Sequence, residues 1–358
     1  MSDAAGPGPL VAPGRPGASG MSAGSDVETT GVFVGAYAAS PAHSAWDARL
    51  ESEFFDELDA VPELRGVELP WMGALHPHDD AWLLRSFPRR FDAVLTSIPG
   101  TMKRLGTTPL YGLASRDADG RAAALAEAGR IRGAVRRLND AVGRRAVTAV
   151  ELHSAPSAGR GDVASLAASI AELSADADAW DGATIAIEHC DAFVPSHQPE
   201  KGFLDLTDEL AAIADRPAWV GLSINWGRSA IELRDGELVT AHIRQAAASG
   251  RLRGLMLSGA SAELSPFGGP WVDAHHPMTP SSSFPYGEPS SMLTEDLLRD
   301  AIAAAGAVDW LGFKFGWADR EAPVGPRVDM IATAAAAVTA ASQGAGMRGA
   351  AVPPKLGG

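Results

Sequence analysis

The sequence has little cysteine, a shortage of basic residues and no long apolar run, and each of these excludes a class of protein. Cys190 is the single cysteine, so an internal disulfide and a CxxC metal site are both excluded. Lys and Arg number 30 against 44 Asp and Glu, which gives a formal net charge of −14. A nucleic-acid groove is therefore not expected, because it needs cations to neutralise phosphates. No run approaches the roughly 18 apolar residues that a membrane span needs, and the lone cysteine fits a cytoplasmic location.

Both ends of the chain also lack large apolar side chains. The first 29 residues are mostly Gly, Pro, Ala and Ser, and they contain no apolar stretch of the kind found in a signal peptide. We expect residues 1–29 and 343–358 to be disordered tails, because segments of this composition bury too little apolar surface to fold. Residues 30–342 remain as one domain.

Eight short apolar runs, separated by Ala- and Leu-rich stretches of helical period, make up that domain. The runs are rich in Val, Ile and Leu, as in strands that are covered on both faces. Eight strand–helix units predict a single (β/α)8 TIM barrel. The strand runs lie at 31–38, 65–71, 91–99, 148–156, 183–192, 218–226, 252–261 and 309–316.

Helix signals and two long connections complete the predicted barrel. Asp117 is an expected N-cap of a helix over 121–142, and Thr294 of a helix that ends at Gly306. The other helices are predicted at 50–60, 164–177, 203–215, 238–250 and 326–342. Long connections at 100–116 and 259–292 each follow a strand. They therefore lie at the carboxyl end of the barrel, where the active sites of this fold are found.

Polar residues recur at the ends of the predicted strands. Since strand side chains alternate between the two faces, many of these residues point into the barrel, where burial is costly unless they pair or bind something. Glu68 alone is also typical of a helix cap or a surface ion pair, and one of Glu188 and His189 must face outward. Asp191 is an alternative cap for the next turn. The candidates are Glu68, Glu151, His153, Glu188, His189, Asn225, Ser258 and Lys314.

The segments ELPW, IPGTM, ELHSAP, IEHCDA and INWGRSAIE resemble the xylose isomerase-like TIM barrels, a superfamily of sugar phosphate isomerases, epimerases and related lyases. Within it they are similar to an uncharacterised family, and the resemblance covers about 31–342. It implies a divalent metal, Mn²⁺ or Mg²⁺, held by acidic residues and histidines at the ends of strands five to eight.

Only one of the metal-binding residues implied by the resemblance is present. Glu188 matches the strand-five glutamate, but Asn225 and Arg228 stand where the superfamily has Asp and His. Ser258 replaces the strand-seven histidine, and Lys314 is the nearest match to the final glutamate. Asn and Ser are poor ligands for transition metals, and a lysine ammonium would occupy the position of the metal charge. The usual metal is therefore not favoured. A displaced site is the alternative, formed by Glu188, Glu151 and His153, with His275 or His276 from the long loop.

The resemblance and the polar cluster together predict an enzyme that acts on a sugar or a sugar derivative. The expected reaction is proton abstraction next to a carbonyl, leading to isomerisation, epimerisation or β-elimination. In this prediction Glu188 or Glu151 is the base, and Lys314, His153 or a metal stabilises the oxyanion. The expected substrate-binding residues are Glu68, Asn225, Arg228, Trp71, Trp271 and His276. A non-catalytic sugar-binding barrel is the main alternative. A metal-dependent nuclease is disfavoured by the excess of acidic residues. The sequence does not determine whether the protein forms a homo-oligomer.

Overall fold

A computed structural model of the protein describes Met1 and residues 31–42, 45–157 and 159–349. Eight parallel strands form a closed barrel in sequence order, and β1 pairs with β8 to close it. The predicted TIM barrel is confirmed. The strands are β1 (Val32–Val34), β2 (Leu64–Pro70), β3 (Asp92–Thr96), β4 (Val147–Leu152), β5 (Thr184–His189), β6 (Val220–Asn225), β7 (Leu252–Leu257) and β8 (Trp310–Phe313).

Ten helices surround the barrel within the described residues. They are α1 (Ala48–Asp59), α2 (Asp80–Ser86), α3 (Ile98–Leu105), α4 (Ala118–Val142), α5 (Val163–Leu173), α6 (Leu206–Ile213), α7 (Trp226–Leu233), α8 (Gly236–Ala248), α9 (Glu295–Ala305) and α10 (Val324–Gly349). None of them has both the length and the apolar character that crossing a bilayer requires. The helix α10 extends seven residues past the predicted domain end, to Gly349. The remaining parts of the two predicted tails, 2–29 and 350–358, lie outside the described residues.

Capping side chains explain where the predicted helices begin. The Asp117 carboxylate accepts a hydrogen bond from the backbone N–H of Gly120, and the Thr294 hydroxyl accepts one from Leu297. Each satisfies an N–H that the first helical turn leaves without a partner. Both caps are where the sequence predicted them.

The helices α2, α3 and α7 were not predicted. The helix α3 lies largely within the connection that was expected to be a loop at 100–116. The helix α7 begins directly at the end of β6, and nearly all of its residues are buried. It is only eight residues long and follows β6 without an intervening loop, so its start is hard to recognise in the sequence.

An apolar layer fills the amino-terminal part of the barrel interior. Its side chains come from alternating strand positions and form one buried cluster, made of Phe33, Val94, Ala149, Ala186, Met256 and Trp310. Gly254 makes room for the Trp310 indole, since a Cβ on this glycine would lie 2.0 Å from that ring. With this layer filled, the inward-facing polar side chains lie at the carboxyl end of the strands.

Candidate active site

Three glutamates from three strands meet inside the barrel. Glu68 on β2, Glu151 on β4 and Glu188 on β5 each offer a carboxylate oxygen, and these oxygens lie within 4.8 Å of one another. All three side chains are 0 % exposed. Each lies two residues beyond an inward-facing position of its strand, so the alternation of strand side chains brings them together.

Two buried cations accompany these carboxylates. The Nζ atom of Lys314, just after β8, lies 2.7 Å from Oε2 of Glu68 and 4.0 Å from Oε1 of Glu188. The Nη1 atom of Arg228, on α7, lies 2.5 Å from the same Oε1 of Glu188. Burial would lower the pKa of Lys314, but the charges of Glu68 and Glu188 outweigh it and raise that pKa, so the ammonium stays protonated.

Glu188 is held as a fixed anion. Its Oε2 lies 2.9 Å from the Thr96 hydroxyl and 2.9 Å from Nε2 of His153. Burial would raise the pKa of Glu188, but Arg228, Lys314 and the hydrogen bond from His153 hold that pKa well below its usual range. With both oxygens occupied, this carboxylate is a weak base.

Glu151 has the opposite environment. The Ser223 hydroxyl donates to its Oε1 at 2.8 Å, whereas its buried Oε2 has no hydrogen-bond partner among the described residues. Burial and the charge of the neighbouring Glu188 raise the pKa of Glu151 well above its ordinary value. Two cations meet three carboxylates, and Glu151 is the one left without a cation. Neighbouring carboxyl groups whose pKa values are driven apart are typical of acid–base sites.

His153 joins this cluster through its second nitrogen as well. The Ser97 hydroxyl lies 3.1 Å from Nδ1 of His153, opposite the nitrogen that faces Glu188. Burial lowers the pKa of His153, which favours the neutral imidazole. Both ring nitrogens therefore have a polar neighbour, and the ring orientation is well determined.

The long loop between β7 and α9 covers the cluster through Asp273. Its Oδ2 accepts from Nε of Arg228 at 2.8 Å and lies 3.0 Å from Nζ of Lys201, while Oδ1 lies 3.2 Å from Nδ1 of His275. The sequence analysis missed Asp273 and Lys201, since the length of the loop indicated a functional segment without selecting a residue in it. The loop histidine that faces the cluster is His275, whereas Nε2 of His276 lies 2.8 Å from the Ser265 hydroxyl within the loop itself.

The polar contacts of the two tryptophans predicted to bind substrate are with residues other than the three barrel glutamates. The Nε1 of Trp71 donates to Oε1 of Glu127 at 2.7 Å, and its ring lines a cavity of about 340 Å³ that also reaches His153. Trp271 lies in the long loop, with the guanidinium of Arg234 4.4 Å above its ring. The structure therefore places these rings beside a side cavity and on the covering loop.

The residues at the implied metal positions bind one another. The Ser258 hydroxyl donates to Oδ1 of Asn225 at 2.9 Å, and the same oxygen caps α7 by accepting from the N–H of Arg228. The Lys314 ammonium lies among the carboxylates where a cation would be attracted. Such residues do not fit the Mn²⁺ or Mg²⁺ site that the resemblance implies, because amide, guanidinium, hydroxyl and ammonium groups stand where its carboxylate and imidazole ligands are expected.

Comparison with known proteins identifies a matching family and a relative of this chain. The model of a family described as a domain of unknown function, DUF4862, matches residues 33–330. The uncharacterized protein STM3670 of Salmonella typhimurium is 35% identical over 306 residues, which cover 84% of this chain and 94% of that protein.

Two solved structures share the architecture at low identity. The IOLI protein, crystallised with a zinc atom, is 12% identical with a TM-score of 0.56, and the match covers 87% of this chain and 98% of that one. A xylose isomerase domain-containing protein of Salmonella typhimurium LT2 is 11% identical with a TM-score of 0.53, covering 86% and 97%. At these identities the likeness shows the xylose isomerase-like TIM barrel fold.

Proposed function

This chain belongs to the DUF4862 family, and we propose that it is a sugar isomerase or epimerase that moves a proton next to a carbonyl group. The observation that carries the proposal is the pair of Glu151 and Glu188, adjacent buried carboxyl groups of which Glu188 contacts Arg228 and His153 whereas Glu151 accepts from the neutral Ser223 hydroxyl. A proton-transfer site needs one group that exchanges a proton and charges that stabilise the developing oxyanion. Glu151 supplies the first, and Lys314 with Arg228 supplies the second.

In the proposed reaction Glu151, in its ionised form, takes the proton from the carbon next to the carbonyl. The electron pair of the broken C–H bond forms the enolate, whose oxygen is stabilised by the Lys314 ammonium. For isomerisation Glu151 returns the proton to the neighbouring carbon, while the proton of the adjacent hydroxyl moves to the enolate oxygen and that hydroxyl becomes the new carbonyl. For epimerisation a water molecule on the opposite face protonates the original carbon, and Glu151 gives its proton to the hydroxide that remains. Glu188 stays ionised and holds Arg228 and His153 in position. β-Elimination begins with the same proton abstraction, so a lyase reaction is distinguished by its unsaturated product.

Access to this site requires the long loop to move, because Glu68, Glu151 and Glu188 are all fully buried. Asp273 is the loop residue whose carboxylate contacts Arg228. A substrate hydroxyl or carboxylate that binds Arg228 would replace that contact. Replacement of the Asp273 contact by the substrate would couple substrate binding to opening of the barrel mouth.

The proposal is tested by solvent deuterium uptake. A panel of aldoses, ketoses, sugar acids and sugar phosphates is incubated with the protein in D₂O, and deuterium next to the carbonyl is detected by NMR. We expect uptake for at least one class, loss of that uptake in Glu151→Gln, and retention in the surface variant Glu237→Gln. Absence of uptake across the panel in the wild type would contradict the proposed reaction.

A second candidate, a sugar-binding barrel without catalysis, is favoured by one observation. Lys314 and Arg228 form ion pairs with Glu68 and Glu188 without any substrate, and the side chains of these two cations are 0 % exposed. Calorimetric binding of a sugar that exchanges no deuterium would support this candidate over the isomerase.

A further inference from the structure

A second buried cluster lies outside the barrel, between β5 and the helices α6, α7 and α8. His189 faces these helices because its neighbour on β5, Glu188, faces the interior. Its Nδ1 lies 2.7 Å from Oε2 of Glu209 on α6, and its Nε2 lies 3.0 Å from Oε2 of Glu232 on α7. The Nε2 of His242, on α8, lies 3.7 Å from the other oxygen of Glu232.

Hydrogen bonds within the cluster do not account for the position of His242 or for the excess of negative charge. The 3.7 Å between His242 and Glu232 is too long for a hydrogen bond, and the buried Nδ1 of His242 has no hydrogen-bond partner in the part of the chain that the structure describes. Glu209 and Glu232 place two carboxylates against His189, which carries at most one positive charge. A divalent cation at this position would supply the missing charge and would bring His242 into the network.

We propose that His189, Glu232 and His242 bind a zinc ion. One ligand atom from each residue lies within 4.8 Å of the others. Ligands at about 2.0–2.1 Å from a tetrahedral zinc are about 3.3 Å apart. Oε2 of Glu232 lies 3.0 Å from Nε2 of His189 and its Oε1 lies 3.7 Å from Nε2 of His242, so each histidine lies near this spacing from one oxygen of the carboxylate. Two histidines, one carboxylate and a water form a known zinc ligand set. The water enters beside His242, whose side chain is 15% exposed.

The residues around this site are arranged as in other zinc centres. Zinc-binding histidines usually donate their second ring N–H to a carboxylate, which sets the ring orientation and increases ligand basicity. Glu209 is in that position on Nδ1 of His189, and the Ser154 hydroxyl donates to the other oxygen of Glu209 at 2.5 Å. On zinc binding Nε2 of His189 is deprotonated, and any proton it carries is released to solvent.

The site is independent of the proposed isomerase chemistry. Its ligands lie on the outer face of β5 and on two helices, whereas the three barrel glutamates lie on the inner face. Zinc here joins β5, α7 and α8, so its expected contribution is to stability. The proposed function therefore stands or fails separately from this inference.

Zinc binding is measured on the untagged full chain after chelation and dialysis, by calorimetric titration with Zn²⁺ and by the visible spectrum of Co²⁺. We expect one zinc per chain and a four-coordinate Co²⁺ spectrum. His242→Gln should weaken zinc binding at least about 100-fold, and Glu209→Gln about 10- to 100-fold as an orienting residue. His242 is partly exposed, so His242→Gln should keep the unfolding temperature of the metal-free wild type, and this is measured in parallel.

Glu151→Gln, in the barrel, is the matched control and should bind zinc as the wild type does. Absence of saturable zinc binding in the wild type would overturn the inference. So would equal zinc binding by His242→Gln and the wild type, or loss of zinc in Glu151→Gln, which would place the ion among the barrel glutamates.

Discussion

The Nζ atom of Lys314 lies 2.7 Å from Oε2 of Glu68, although β1 separates their strands in the barrel wall. Gly35, just after β1, makes this approach possible, since a Cβ on it would lie 2.6 Å from Cγ of Lys314. The sequence predicted that the Lys314 ammonium would occupy the position of the metal charge. The structure places Glu188 at 4.0 Å but makes Glu68 the principal partner.

Replacing Lys314 by Met removes the ammonium that the proposed reaction uses to stabilise the oxyanion. We expect the rate of deuterium exchange to fall at least about 100-fold, the scale of losing one oxyanion stabiliser. Binding of the substrate is measured separately by calorimetry. An active Lys314→Met would reduce this lysine to a structural ion pair.

Chelation separates this lysine mechanism from a metal mechanism. Because the residues at the implied metal positions do not fit Mn²⁺ or Mg²⁺, wild-type exchange at 25 °C should persist after EDTA treatment. The unfolding temperature is followed in the same samples, since removal of zinc from the cluster at His189 is expected to lower it. Activity that disappears on chelation, while the fold remains, would place a metal in the reaction.

Substituting Glu151 by Gln should change the pH dependence of stability. Burial raises the pKa of Glu151, so the folded state keeps a proton that the unfolded chain loses near pH 4.3. This group therefore reduces wild-type stability as pH rises from about 4.3 toward its raised pKa. Glu151→Gln should gain in unfolding temperature relative to the wild type between pH 4 and pH 8. A difference that is constant across this range would mean that Glu151 is ionised when folded.

The activity of the wild type should follow the same group. Since the proposed base is the ionised form of Glu151, the rate of deuterium exchange should increase with pH, with an apparent pKa above the usual carboxyl range. A rate that levels off below pH 5 would assign the base to another residue.

Replacing Asp273 by Asn should loosen the loop over the barrel mouth. The substitution removes the charge that faces Arg228 and Lys201, and leaves these two buried cations less well paired. We expect amide hydrogen exchange in residues 261–276 to accelerate at least about tenfold, which corresponds to about 1.4 kcal/mol. Asp296→Asn, at a side chain that is 84% exposed, is the control. Unchanged exchange in Asp273→Asn would show that the loop is held by other contacts.

Replacing Gly35 by Ala should displace Lys314 without altering any charge. The added Cβ would lie 2.6 Å from Cγ of Lys314 and 3.2 Å from Oε2 of Glu68, so the ion pair must shift. We expect lower thermal stability and a loss of exchange activity similar to that of Lys314→Met. Gly129→Ala, in α4 where an added Cβ meets nothing within 4 Å, should instead stabilise the protein by up to about 1 kcal/mol.

The sequence was sufficient for the barrel and for most members of the polar cluster. Apolar runs of strand length alternating with amphipathic helices admit few architectures, and parallel strands in a barrel bring their carboxyl ends together. The alternation of strand side chains then predicted that Glu68, Glu151 and Glu188 face the interior of the barrel. These inferences depend on local periodicity, which can be recognised in a single sequence.

The tertiary structure decided how the cluster is paired and what covers it. Asp273 and His275 reach the barrel only through the path of a long loop, and no local pattern determines that path. The separation of Glu151 and Glu188 into a neutral and an ionised carboxyl depends on which cations lie within a few ångströms, since electrostatic interaction in a buried site varies steeply with distance and solvation. The sequence thus determined which residues enter the barrel, whereas the folded arrangement of Lys314 and Arg228 determined their charge.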